Sequence, residues 1–551
     1  MFLKITKSGK NRYLQIVKSY RDKGKVKHKV IASLGNLELL LNDNVSKRLL
    51  EILSEKSDDL FSLSDINQKD KADVYCFASV VLKKIWNSYK LNEFFSKLLE
   101  NRKVEFDIIK NIFYLVINRT LASYASKLGF FNSKDYFLID EMKLQDLYKT
   151  LDFLSEIKED LEEHLLKKSI DLFNRDITVG LYDVTTLYFE SQKSDNLREF
   201  GLSKDFKMND VQIVLGLLTD KDGIPISFDI YKGNTSESHT ILDSLDRIKN
   251  RFGINKITIV ADRGISNFLN LYEIRKRGYD YIVALRFKNS KELKEKILTS
   301  LDEYKTISFT QENGFYGYKE FIITQTKRKK VDNQYKDITL THKIIATYSD
   351  KRARKDKSDR DRKIEKLLKN PTVKKSKFIK LDCNTYSIDF EKVKEDEVYD
   401  GFYAIAASDL EIDPKEAINI HKNLYEIENS FRENKHTLNI RPIRHYKEER
   451  IIGHVIASFL GYFILKQIQV RLKSSKKVQD YLNKSNETLS LDKILDALLH
   501  LRVVKVDIKS KDYFIKLSYP TLSSKILDLF KIKVPKKITS EEEFYREYLT
   551  V

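Results

Sequence analysis

Cysteine is almost absent: Cys76 and Cys383 are the only two in 551 residues. That excludes a disulfide framework and a zinc-ligand set, and fits a reducing compartment. Glycine and proline are scarce as well, at 17 and 6 residues, and no extended low-complexity segment or internal repeat is present. Long hydrophobic runs are missing too. The best candidate, Ile451 to Leu465, is shorter than a membrane span and contains His454, so a buried helix is expected there. No cleavable signal is expected, because MFLKITKSGK turns charged after three residues.

What the chain has in excess is positive charge, a formal +19. A composition rich in Lys, Asn and Ile would spread that charge evenly, yet it is concentrated. Residues 1–34 hold ten Lys/Arg against Asp22 alone, and residues 327–380 hold twenty against seven Asp/Glu. Local excess of this size is the footprint of a polyanion-binding surface.

A chain this long exceeds a single core and predicts about three or four domains. Alternation over 2–6, 11–20 and 25–34, with a turn at Asp22-Lys23-Gly24, predicts a small basic sheet. A helix marked by Leu41, Val45, Leu49 and Ile52 and a polar linker from Ser57 to Lys71 follow, closing a first region at about 60. Spacing is helical nearly throughout from Ala72 to Phe173, broken at polar pairs such as Asn132-Ser133, which gives a helical domain over 72–175. At Ile177 the period changes to β-β-β-α-β-α-β: strands 177–189, 211–219 and 224–231, a helix 236–252, a strand 256–261, a helix 267–278 and a strand 281–287. Residues 296–400 read as a mainly β insertion with strands near 306–310, 316–324, 340–347 and 384–389, interrupted by one charged helix at 350–369. A strand near 401–407 follows. From Pro414 the chain is helical to Leu501, then ends in a hairpin near 502–518 and a short helix. The expected fold class is a multidomain α/β protein. Its core occupies 176–295 and 401–470, and a C-terminal region over 471–551 is a candidate for dimerisation.

Three carboxylates stand where a fold built for stability alone would place apolar groups. Asp183 interrupts the face Ile177, Val179, Leu181, Leu187, Phe189; Asp262 closes the apolar run Ile257 to Ala261; Glu428 lies on the helical stripe Ala417, Leu424, Glu428, Phe431. Singly, each has an ordinary reading as a bonded core acid, a turn or cap residue, and an ion pair with Arg432. Gly264 reads as a turn glycine. Taken together, two carboxylates on neighbouring strands and a third from a packed helix can share a pair of hard divalent cations.

These strings resemble the ribonuclease-H-like catalytic domain of the DDE transposases of bacterial insertion sequences, in the group with a Tyr-Arg-Glu-Lys signature. The resemblance rests on YDVTTLYFE around Asp183, GLSKD at 201–205, GNTSESHT at 233–240, ADRG at 261–264 and IENSFRENK at 427–435, followed by IRPI. It covers about 177–470, and more loosely the first 60 residues. It implies that Asp183, Asp262 and Glu428 bind two Mg²⁺, for which Mn²⁺ can substitute, and that Lys435 matches the signature lysine. Seven positions on an α-helix return Lys435 to within about 20° of the face of Glu428. At the signature's Tyr and Arg positions this chain has His421 and Leu424, with Tyr425 close by. Further phosphate or DNA contacts are expected from Arg432, Arg441, Arg444, His445, Lys204, Arg263, Lys10 and Arg12, and from Lys327, Arg328, Lys329 and Lys330 in the insertion. The implied activity is cleavage at terminal inverted repeats and strand transfer into target DNA. It would be carried out by a homodimer on double-stranded DNA, in the nucleoid-containing cytoplasm and without a membrane. The alternatives are a metal-dependent nuclease without strand transfer and a DNA-binding protein with a decayed centre.

Overall fold

The computed structural model describes residues 2–36 and 73–549, except 10, 23–24, 123–136, 140–141, 174, 176, 206, 253, 255, 332–333, 370–376, 383–384, 486–487 and 509–510. The helix expected near Leu41 to Ile52, its linker, the Asn132-Ser133 break, Lys10 and Cys383 lie outside the described residues. The chain divides into two compact units, residues 1–165 with 432–551, and residues 166–431.

In the first unit, β1 (Phe2–Ser8), β2 (Asn11–Asp22) and β3 (Lys25–Asn36) form the antiparallel sheet that their alternation predicts. β4 (Asp73–Cys76) departs from the helical reading of 72–173 at its start: it pairs with the strand Arg502–Ile508, a partner too distant in sequence for local periodicity to reveal. The helix Glu448–Ser474 is long and apolar enough to cross a membrane by length and composition, but 94% of its most apolar window is buried. It is apolar on every side because neighbours surround it. Gly453 on this helix lies so close to the helix Leu144–Glu156 that a Cβ would collide with the Leu151 carbonyl.

The second unit is built on one nine-stranded sheet. Its strands are β5 (Val179–Tyr188), β6 (Gln212–Thr219), β7 (Pro225–Lys232), β8 (Thr258–Ala261), β9 (Asp280–Ala284), β10 (Lys305–Thr310), β11 (Gly314–Val331) and β12 (Gln334–Ser349). β13 (Ile379–Asp382) and β14 (Thr385–Ile388) form a separate hairpin, and β15 (Phe402–Ala407) returns to the large sheet. The order is β10-β11-β12-β15-β9-β8-β5-β6-β7. The core strands follow the expected element order, and β5 runs parallel beside β8. Of the strands in the expected insertion, β10, β11 and β12 extend the core sheet through β15, while β13 and β14 pair only with each other. β11 and β12 are also far longer than their apolar stretches, at 18 and 16 residues, because pairing continues through the polar and basic residues that read as loop.

Residues paired across strands share a face of a sheet. Tyr182, Val184, Ile259, Ala261, Val283, Ala404, Ala406, Ile344 and Ala346 therefore point to one side, where they form the main core with Ile241, Leu245, Leu271 and Ile274. Those last four come from the helices Glu237–Phe252 and Phe268–Lys276. The other side carries Leu181, Asp183, Val260, Ile282, Ile405 and Ile345. It is the side on which both strand-borne carboxylates fall.

Replacing Gly453 by Val should destabilise the full chain by about 1–3 kcal/mol or more, through overpacking against Leu151. A urea-unfolding midpoint equal to that of the parent would show that the two helices do not approach as described.

Candidate active site

β5 and β8 pair in parallel with Leu181 opposite Val260. Continuing that register by two residues brings Asp183 level with Asp262, which stands just past the end of β8. The two carboxylates are close enough for charge coupling. Burial pushes Asp183 up to about 6; Lys204 and the Val184 amide oppose this, while Glu237 and Asp262 add to it. Other buried carboxylates in the unit are neutralised outright: Asp220 accepts from Arg175 at 2.5 Å, and Asp229 from Arg247 and Ser244. Among the described residues Asp183 has only the Lys204 ammonium, 3.9 Å away, and the Val184 amide at 2.7 Å. A carboxylate this poorly compensated beside a second one is suited to a cation.

Lys204 is held in place from three sides. Its amide donates to Thr186 Oγ1 at 3.0 Å, and its ammonium donates to the Val184 carbonyl at 2.6 Å and pairs with Glu237 at 2.7 Å. Glu237, in the first turn of its helix, reaches across to the loop after Asp262, and a Cβ on Gly264 would collide with its carboxylate. Gly264 lies in the turn after β8, as its sequence reading expects, with the Glu237 carboxylate packed against it and without a left-handed backbone. Sequence reasoning missed Glu237, whose position at a helix start is read most simply as favourable to the helix dipole.

The third carboxylate arrives on a different element. The helix Pro414–Lys422, capped by Asp413, packs on β8 and β9 and brings His421 against the carboxylate edge. Burial holds His421 down at about 4, with Asp262 opposing that shift and Arg263 reinforcing it, so the ring is neutral at pH 7. Among the described residues its Nε2 has no hydrogen-bond partner, and its ring lies 5.7 Å from that of Tyr403. Tyr403 in turn carries the guanidinium of Arg263 at 5.2 Å and that of Arg352 at 4.4 Å. His421, Tyr403, Arg352, Lys422, Thr347 and Tyr316 line a cavity of about 930 Å³. Glu428 follows on the helix Leu424–Arg432 with its side chain exposed. Asp183 and Asp262 are brought together, but among the described residues no three His, Cys, Asp or Glu side chains converge into a metal-ligand set.

Residues 174–464, a stretch that contains all three carboxylates, match the transposase DDE domain. The chain belongs to the DDE transposases. Residues 3–64 match the IS1634 family transposase N-terminal domain, which agrees with an enzyme of an insertion sequence acting on DNA. No curated protein matches the transposase. DDE transposase domains typically depend on divalent metal, and the poorly compensated Asp183 beside Asp262 fits that requirement.

The other residues expected to touch DNA fall into distinct settings on the transposase. Lys204 is turned inward to Glu237 and Asp183. Lys327 sits 5.0 Å over the ring of Phe268, while Arg328 lies 6.0 Å from that of Tyr335; Lys329 and Lys330 complete the end of β11. In the other unit, Arg12 is exposed on β2, and Arg432 and Arg444 are exposed as well. Lys435 lies in a π-helical turn, Glu433–Thr437, so the 100° step per residue that would align it with Glu428 is not maintained. The Arg441 guanidinium is 3.4 Å from His436. His445 packs between Tyr148 and His454, at 6.1 and 5.3 Å between ring centres, and burial holds it down at about 4, uncharged at neutral pH.

Replacing Lys204 by Met removes the one ammonium shared by Asp183 and Glu237. Without divalent ions the variant should lose roughly 1 kcal/mol, a small effect because Lys204 is 40% exposed. Added Mg²⁺ should raise its melting temperature more than it raises the parent's, since the ion no longer competes with the ammonium. Equal Mg²⁺-induced shifts in the two proteins would remove Lys204 from the site.

Proposed function

We propose that this transposase cuts at the terminal inverted repeats of its element and joins the freed 3′ ends to target DNA. The observation that carries this reading is the parallel pairing of β5 and β8, which sets Asp183 level with Asp262 inside the stretch matched by the DDE domain. Asp183, Asp262 and Glu428 are the proposed ligands of two Mg²⁺, with Mn²⁺ as a substitute. When bound, the ions would supply activation of the attacking oxygen and stabilisation of the leaving one. Glu428, delivered by a helix beyond His421, completes the set when DNA is engaged.

The chain's own groups have the remaining work. Lys204 and Glu237 hold the Asp183 strand and the Asp262 loop at a fixed separation, so the carboxylates meet the scissile phosphate without reorganising. Arg263 and Arg352, stacked on Tyr403, present guanidinium groups beside that edge, where they would pair with backbone phosphates. Water attacks the phosphodiester at each element end and releases a 3′-hydroxyl, which then attacks target DNA. Joining two ends calls for two copies, so the working form is a homodimer on DNA, acting at the nucleoid in the cytoplasm.

The test uses the full chain with duplexes carrying the inverted repeats that flank its gene. Glu428→Gln should reduce Mg²⁺-dependent nicking by about 100-fold or more while leaving end binding within a few-fold. Undiminished nicking would exclude Glu428 from the mechanism. Nicked ends that never appear joined to a second DNA would make the protein a nuclease instead.

A further inference from the structure

β11 and β12 pair without a break from Tyr316↔Ser349 to Val331↔Gln334. On their outer sides, however, β10 covers β11 only as far as Tyr318, and β15 covers β12 only from Lys343 onward. Beyond those points, among the described residues, the pair is a two-stranded ribbon with both edges unpaired. Such an edge is ordinarily covered or blunted.

The register sorts the ribbon's side chains into two sets. One face carries Ile323, Ile338 and Leu340 into the main core, with Lys327 lying over Phe268. The other face carries Ile322, Thr324, Thr326, Arg328 and Lys330, opposite Lys343, Thr341, Thr339, Asp337 and Tyr335. Thr324 and Thr341 share a hydroxyl hydrogen bond of 3.0 Å, and Thr326 and Thr339 one of 2.9 Å. Four threonines thus make a flat two-by-two block. Beyond it, at the tip, Arg328 lies 6.0 Å from the ring of Tyr335, which is 69% exposed.

This face lies on the same side of the sheet as Asp183 and Asp262. Following the pairs Val260↔Ile282, Ile282↔Ala407 and Ala407↔Lys343 across the sheet, and stepping two residues along, places Asp262 level with Ile345 of β12. Ile345 and the threonines lie on the same side of the sheet as Asp183 and Asp262. Thr341 is four residues from that level and Tyr335 is ten. At about 3.3 Å per residue and about 4.8 Å per strand, the block and tip lie roughly 20 to 35 Å from Asp262.

From this geometry we infer that the outer face of the ribbon lies in the major groove of the element-end duplex and reads base edges there. The inference rests on the reading of this chain as an enzyme that cuts those ends. The groove admits a two-stranded ribbon, and short threonines let its backbone approach while offering hydroxyls to base edges and methyls to thymine. Arg328 and Lys330 at the tip match the phosphates in charge, and the Arg328 guanidinium lies beside the exposed ring of Tyr335. At 3.4 Å per base pair, the contacted bases lie about six to ten pairs from the cut.

The experiment compares the full-length parent with Thr326→Ala/Thr339→Ala, both exposed positions, on a duplex carrying the flanking inverted repeat and on a scrambled duplex of the same length. The variant should lose about tenfold of its preference for the repeat, with binding to the scrambled duplex unchanged. Major-groove methylation interference six to ten pairs from the cut should disappear with it. A variant that keeps the full preference and interference, in a protein whose parent still cuts and joins, overturns the ribbon inference and leaves the transposase reading standing. A parent that neither prefers nor cuts the repeat overturns both.

Discussion

Everything at the edge that carries Asp183 and Asp262 depends on one parallel pairing, β5 against β8. It places an aspartate from the middle of one strand beside an aspartate from the end of another, with little positive charge to offset them. Like charges so arranged oppose folding, and the structure offsets them with a single ammonium, Lys204, bound to a fourth carboxylate and to a strand carbonyl. The surrounding features follow from that arrangement. The glycine after Asp262 leaves room for Glu237, the helix Pro414–Lys422 covers the edge, and a neutral histidine rather than a further charge faces Asp262.

The two sides of the large sheet divide the protein's tasks. One is a conventional apolar core in which Tyr182, Ile259 and Ile344 meet two helices. The other carries Asp183 and, on the same side of the sheet, Tyr403 and the threonines of the ribbon, separated by the buried apolar residues Ile282, Ile405 and Ile345. Because β15 joins the long ribbon to β9, the basic region is hydrogen-bonded into the same sheet as the strands bearing the two aspartates.

Much of this was legible in the sequence, and the exceptions have physical causes. The order of strands and helices from Val179 to Ala284 was readable because each strand there is short, apolar and bounded by turns such as Asp220 to Gly223. The full length of β11 and β12 was not, since Lys327 to Lys330 and Gln334 to Asp337 carry no hydrophobic period; they are held as strands by each other. β4 was hidden because its partner lies more than 400 residues away. Asp183 and Asp262 announced themselves as charges in apolar runs, but Glu237 did not, for at a helix start a glutamate is ordinary. Lys435 is read from its match to the signature lysine, but its alignment with Glu428 presumes an unbroken α-helix, and the π-helical turn at Glu433–Thr437 is a departure that no residue pattern signals.

The ribbon has a consequence for how this protein can change over time. A strand alternates its side chains with a period of two, so one residue inserted in or deleted from β11 would exchange Thr324 and Thr326 with the face of Ile323, and one in β12 would exchange Thr339 and Thr341 with Ile338 and Leu340. The core would then gain hydroxyls and the outer face would gain grease. Length can therefore vary only by matched pairs of residues on the two strands, each step moving the tip by about 6.6 Å, close to two base pairs. In that sense the ribbon behaves as a ruler graduated in dinucleotides.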